Sequence, residues 1–90
     1  MKIRYTKHFQ KNFIKRIPAE SSLDKRYLER VTLFLQNRND PVLKNHKLSG
    51  KLTGYFAFSI TGDIRVLYYF NSDDEITFID IGSHNQVYEE

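Results

Sequence analysis

The hydrophobic residues of this 90-residue chain change their period halfway along. In the first half they recur every four residues. Phe9, Phe13 and Ile17 form one stripe; Leu23, Tyr27, Val31 and Leu35, joined by Leu28 and Phe34, form another. That spacing places each set on one side of an α-helix. Thr6 is positioned to cap the first helix, which runs to about Ile17 and is closed by Pro18, because the residue before a proline leaves the helical region. Ser21-Ser22-Leu23-Asp24 is a second start signal, close to a capping box, and Asn37-Arg38-Asn39-Asp40-Pro41 ends the second helix. The second half reads as short β-prone runs at 55–60, 64–70 and 75–81. Thr61-Gly62-Asp63 and Asn71-Ser72-Asp73-Asp74 supply the turns between them, and Gly82 stops the last. Residues 3–6 are a β-prone opening that would join the sheet edge. Short connections imply an antiparallel meander. The predicted order is β-α-α-β-β-β: an α+β domain whose antiparallel sheet carries an N-terminal helical hairpin on one face.

Composition narrows the class. Ninety residues accommodate one domain, 1–90, and at 40% hydrophobic and 14% aromatic residues the chain is not a disordered one. No run approaches the ~18 apolar residues of a membrane span. The N-terminus, Met1-Lys2-Ile3-Arg4-Tyr5, has no apolar h-region, which argues against a secretory signal. Cysteine is absent, excluding disulfides, thiol chemistry and a cysteine zinc site. The net charge of +3 conceals a gradient. Residues 1–51 carry thirteen bases against four acids, or +9; residues 52–90 carry one base, Arg65, against seven acids, or −6. A basic helical half is either a docking surface for a polyanion or acidic partner, or a pair of ordinary solvated helix faces.

Five residues are candidates for chemistry. Arg65 sits inside the most apolar strand, where a charge needs a cleft or a partner. It either holds a phosphate or pairs with Asp63, Asp80 or another carboxylate across the sheet. His84, just after the last strand, is a proton-transfer group or an exposed loop histidine. Tyr88 either stacks on a base and donates a hydrogen bond or staples the C-terminus to the core. His46, between basic residues, is a second proton-transfer group or part of a solvated loop. Asp63 orients a histidine, pairs with Arg65, or serves the hairpin turn. His8, beside the apolar stripe, receives no role. The histidines lack metal-ligand spacing, and there is no glycine-rich phosphate loop or nucleophile elbow.

The order of these pieces resembles the RelE/ParE superfamily of toxins from type II toxin–antitoxin systems. The resemblance covers nearly the whole chain. It rests on His46-Lys47-Leu48-Ser49-Gly50, Gly54-Tyr55, Gly62-Asp63-Ile64-Arg65-Val66-Leu67-Tyr68, and Ile81-Gly82-Ser83-His84 with Tyr88. The central strand is similar to the RelE group; the loop histidine and the G-S-H-x-x-x-aromatic ending are similar to the YafQ branch. The resemblance implies a cytoplasmic, ribosome-dependent mRNA endonuclease that works by 2′-hydroxyl attack without metal or cofactor. It implies a tight antitoxin partner, binding at the ribosomal A site, no membrane, and a hetero-oligomeric toxin–antitoxin complex that binds operator DNA through the antitoxin. By the same resemblance Arg65 contacts the scissile phosphate, His84 and His46 transfer protons, and Tyr88 and Asp63 complete the site. Phe56 and Phe58 fall where the RelE branch carries lysines; Ser59 and Ile64 fall where the YafQ branch carries histidine and tryptophan. A ParE-like gyrase poison and a catalytically silent relative acting through its antitoxin complex are the alternatives.

Overall fold

Thr6 and Ser21 start the two long helices as their positions predict. The Thr6 hydroxyl accepts from the Phe9 amide at 3.0 Å and the Ser21 hydroxyl from the Asp24 amide at 3.1 Å. Each satisfies one of the amides that a helix start leaves without a partner. The computed structural model describes residues 1–88; Glu89 and Glu90, counted above among the acids, lie outside the described residues. The elements are β1 (Lys2–Tyr5), α1 (Lys7–Arg16), α2 (Ser22–Gln36), β2 (His46–Lys47), β3 (Phe56–Ser59), β4 (Ile64–Ser72), β5 (Glu75–Ser83) and α3 (His84–Tyr88). Single 3-10 turns at Pro41–Leu43 and Gly50–Leu52 shape the connection from α2 to β3.

The sheet order is β1-β5-β4-β3-β2. The opening strand is at the edge, as expected, but it pairs parallel to β5, with Ile3 opposite Ile76. A parallel neighbour needs a long connection, and the helical hairpin plus the meander provides one. The other pairings are antiparallel. Two elements go beyond the sequence reading. The loop around His46 contributes a two-residue strand against β3, and the C-terminal segment read as a loop forms a one-turn helix after β5, which itself continues to Ser83.

The sheet is apolar on both faces. Phe9, Ile17, Tyr27 and Phe34 from α1, α2 and their ends pack against Phe58, Ile60, Val66, Tyr68, Ile76, Phe78 and Ile81. A second, smaller cluster joins Ala57, Leu67 and Val87, with Leu48, Leu52, Ile79 and Tyr88 against it. Successive strand residues point to opposite faces. Phe58, 1% exposed, therefore stacks on Phe34 at 4.3 Å, and Phe56 stacks on Tyr68 at 5.4 Å, both on the helical side. Phe56 and Phe58 thus belong to the helical core, while Ala57 packs in the second cluster.

Candidate active site

β4 alternates Val66 and Tyr68 into the helical core, so Arg65 and Leu67 point to the other face. α3 lies on that face, anchored by Val87 against Leu67 and Ala57. His84 and Tyr88 are four residues apart and adjacent on α3. Their rings meet edge to face, with centroids 4.6 Å apart. The Arg65 guanidinium carbon lies 5.6 Å from the centre of the Tyr88 ring.

The segment leading into His46 is fastened at two points. Leu43 is fully buried, and Asn45 accepts a 2.6 Å hydrogen bond from the Tyr68 hydroxyl. Between them Lys44 adopts a left-handed conformation (φ 49°), and its carbonyl lies 2.7 Å from His46 Nδ1. A carbonyl only accepts, so Nδ1 carries the proton. In the neutral ring Nε2 is then the free acceptor.

One cleft of about 380 Å³ is lined by His46, Lys47, Leu48, Ser49, Leu52, Arg65, His84 and Tyr88. It brings together four of the five candidates. Asp63 lines a separate cleft with Lys15, Arg16, Ile64, Ser83 and Gln86, and its amide donates to Thr61 Oγ1 at 3.2 Å, an arrangement typical of a turn. Asp80 is taken by α1: it accepts from Asn12 at 2.9 Å, pairs with Arg16 at 3.3 Å, and lies 3.4 Å from His8. Neither acid pairs with Arg65, which makes no ion pair among the described residues.

Two buried side-chain polar atoms lack a hydrogen-bond partner among the described residues: Arg65 Nε and the Tyr88 hydroxyl. Both belong to residues that line the same cleft. Such orphans are rare in folded proteins, since leaving one unmade costs ~1–3 kcal/mol. The cleft therefore offers an acceptor nitrogen, a second imidazole, an unpaired guanidinium and a phenol donor. The described residues contain no group of three or more histidines and acids placed to hold a metal.

Sequence reasoning missed Lys47 and Ser49 as cleft residues, although both stand in the quoted loop motif. It also missed the stripe His8, Asn12 and Arg16 on α1, whose four-residue spacing beside the apolar stripe was the available signal. The basic helices, expected to face RNA or an antitoxin, lie across the sheet from the cleft; the bases nearest His46 are in the 44–51 loop instead.

The five-stranded α+β sheet has the YafQ/RelE-like fold. The model of the bacterial toxin YafQ of type II toxin–antitoxin systems matches residues 1–89, and the chain belongs to that family. The crystal structure of YafQ from E. coli strain BL21(DE3) is similar in fold, with a TM-score of 0.79, 20% identity and 96% of each chain covered. A conserved hypothetical protein from Helicobacter pylori is 31% identical, with a TM-score of 0.63 over 94% of this chain and 96% of that one. YafQ in the E. coli DinJ–YafQ complex aligns with a TM-score of 0.76 at 22% identity, over 96% of both chains. No curated protein sequence matches the chain.

Proposed function

We propose that this toxin is an endoribonuclease that cuts mRNA in the ribosomal A site, using only its own side chains. The observation that carries the reading is the pair of orphaned donors, Arg65 Nε and the Tyr88 hydroxyl, in a cleft with two histidines. In the proposed step His46 Nε2 takes the proton of a ribose 2′-hydroxyl. The 2′-oxygen attacks the adjacent phosphorus, and the charge gathering on the phosphoryl oxygens is met by Arg65 and the Tyr88 hydroxyl. As the bond from phosphorus to the 5′-oxygen breaks, His84 gives that oxygen a proton. The products are a 2′,3′-cyclic phosphate and a 5′-hydroxyl end. The hydrogen bond from His46 Nδ1 to the Lys44 carbonyl supports this division of labour, because it leaves Nε2 as the proton acceptor.

An antitoxin is the proposed partner, by analogy with DinJ in its complex with YafQ; the complex is proposed to be hetero-oligomeric and to bind operator DNA through the antitoxin. The test maps mRNA ends in a translation extract dosed with pure protein. Cuts with cyclic-phosphate ends are expected. They should fall about 100-fold or more in His46→Ala, Arg65→Ala and His84→Ala. Intact mRNA together with gyrase-linked DNA breaks would overturn the reading in favour of a gyrase poison; full translation would favour a silent relative.

A further inference from the structure

The residue pair Ser83 and Gln86 is not part of the cleft's reacting set, yet it governs where that set stands. Ser83 precedes α3, and its amide donates to Gln86 Oε1 at 2.8 Å, while the Gln86 amide donates back to Ser83 Oγ at 3.3 Å. This is a reciprocal capping box, in which serine at the cap and glutamine three residues on satisfy each other's backbone amides. α3 is a single turn of five residues, too short to persist on its own propensity. His84 and Tyr88 both hang from it.

The turn is braced from beneath as well. Arg16 Nη1 donates to the Ile81 carbonyl at 2.9 Å, immediately before Gly82. A Cβ at Gly82 would lie 2.6 Å from Gln86 Oε1 and 2.7 Å from Arg16 Nη1. Both atoms end flexible side chains, but each is held by its own hydrogen bond, so an alanine at Gly82 would have to displace both. Gly-Ser-His-x-Gln is thus one device: the glycine admits the two braces, the serine and glutamine clamp the turn, and the histidine is what they aim.

We propose that Gln86 is a positioning residue for the reaction centre, holding His84 and Tyr88 at the mouth of the cleft through its capping bond to Ser83. The kinetic half of the inference rests on the nuclease reading; the structural half does not. The test compares Gln86→Ala with Gln86→Glu, which keeps an acceptor of the same reach and suits a capping box. Steady-state cleavage in the translation extract and the NMR shifts of the His84 ring protons are read together. Those protons sense the Tyr88 ring, edge-on at 4.6 Å. Gln86→Ala is expected to move the His84 shifts towards those of a free histidine and to lower kcat by about 10-fold to 100-fold with KM little changed, since misplacement by an ångström is enough for such a loss. Gln86→Glu is expected to restore both. Unchanged His84 shifts in Gln86→Ala, or loss in both variants alike, would overturn the proposal. Shifts that move as expected in Gln86→Ala while the parent itself cuts no mRNA would leave the positioning intact and sink the nuclease reading instead.

Discussion

Replacing Tyr88 by phenylalanine removes one oxygen and should make this protein more stable and less active. The Tyr88 hydroxyl is buried without a partner among the described residues. The ring itself does structural service, lying against His84 at 4.6 Å and near Arg65 at 5.6 Å, and phenylalanine keeps both contacts. What disappears is the desolvation cost of an unmade hydrogen bond, ~1–3 kcal/mol. For a domain of this size 1 kcal/mol corresponds to a rise in Tm of roughly 4–8 °C. Val87, the neighbouring anchor, is buried in the second core cluster, so α3 should unfold with the sheet and the gain should register in the whole transition. Thermal and urea unfolding followed by circular dichroism measure it, the chain having no tryptophan. The same variant should cut mRNA more slowly, because the lost donor is one of two held ready for the phosphate. A variant that is less stable than the parent would show that the hydroxyl is satisfied in solution and would remove the main support for the cleft as a waiting anion site. Greater stability with undiminished cleavage would leave the orphan real but catalytically idle.

Two further predictions test the packing. Phe58→Lys should prevent folding, since truncating a buried phenylalanine alone costs about 3–5 kcal/mol and the lysine adds an unpaired charge; Ser59→Lys, beside Arg65 in the register, should fold, and equal tolerance of both would contradict the assignment of β3's faces. Burial, partly opposed by the hydrogen bond to Asn45 and by the Arg38 charge, pushes the Tyr68 phenol up to about 12, and burial first, then Tyr5 and Asp24, raises that of Tyr27 as well. Unfolded tyrosine ionises near 10, so the unfolded state loses protons first: the contribution of these two phenols to stability is fully present below pH 10 and should be lost as pH rises from about 10 to 12, and a flat urea midpoint across that range would refute it.

The long elements were legible because their signals were redundant. Thr6 and Ser21 announce helices whose apolar stripes then repeat every four residues, and the turns at Gly62 and Asn71 separate runs too short and β-branched for anything but strands. What the sequence hid was pairwise. A two-residue strand such as β2 has no period to detect, and α3 is one turn whose only marker is the Ser83–Gln86 spacing. Nor does a local pattern reveal that β1 is parallel, since direction depends on which distant strand it meets. In the site, Arg65 stood out as a lone cation in an apolar strand, but whether it was paired turned on Asp80. That acid is taken by Arg16, 64 residues away in sequence. Asp63 was the reverse case: adjacent to the site in the motif, it is turned into another cleft by the hairpin that carries it.

The two-faced sheet has a consequence for control. The cationic helices are on one side and the cleft is on the other, with a full β-layer between them. A molecule that recognises the helices by charge leaves the cleft open unless it also reaches around an edge. Adhesion and neutralisation are therefore separate tasks for any inhibitor of this protein. A short acidic peptide directed at α1 and α2 would bind without disarming it, whereas a longer wrapping chain could do both.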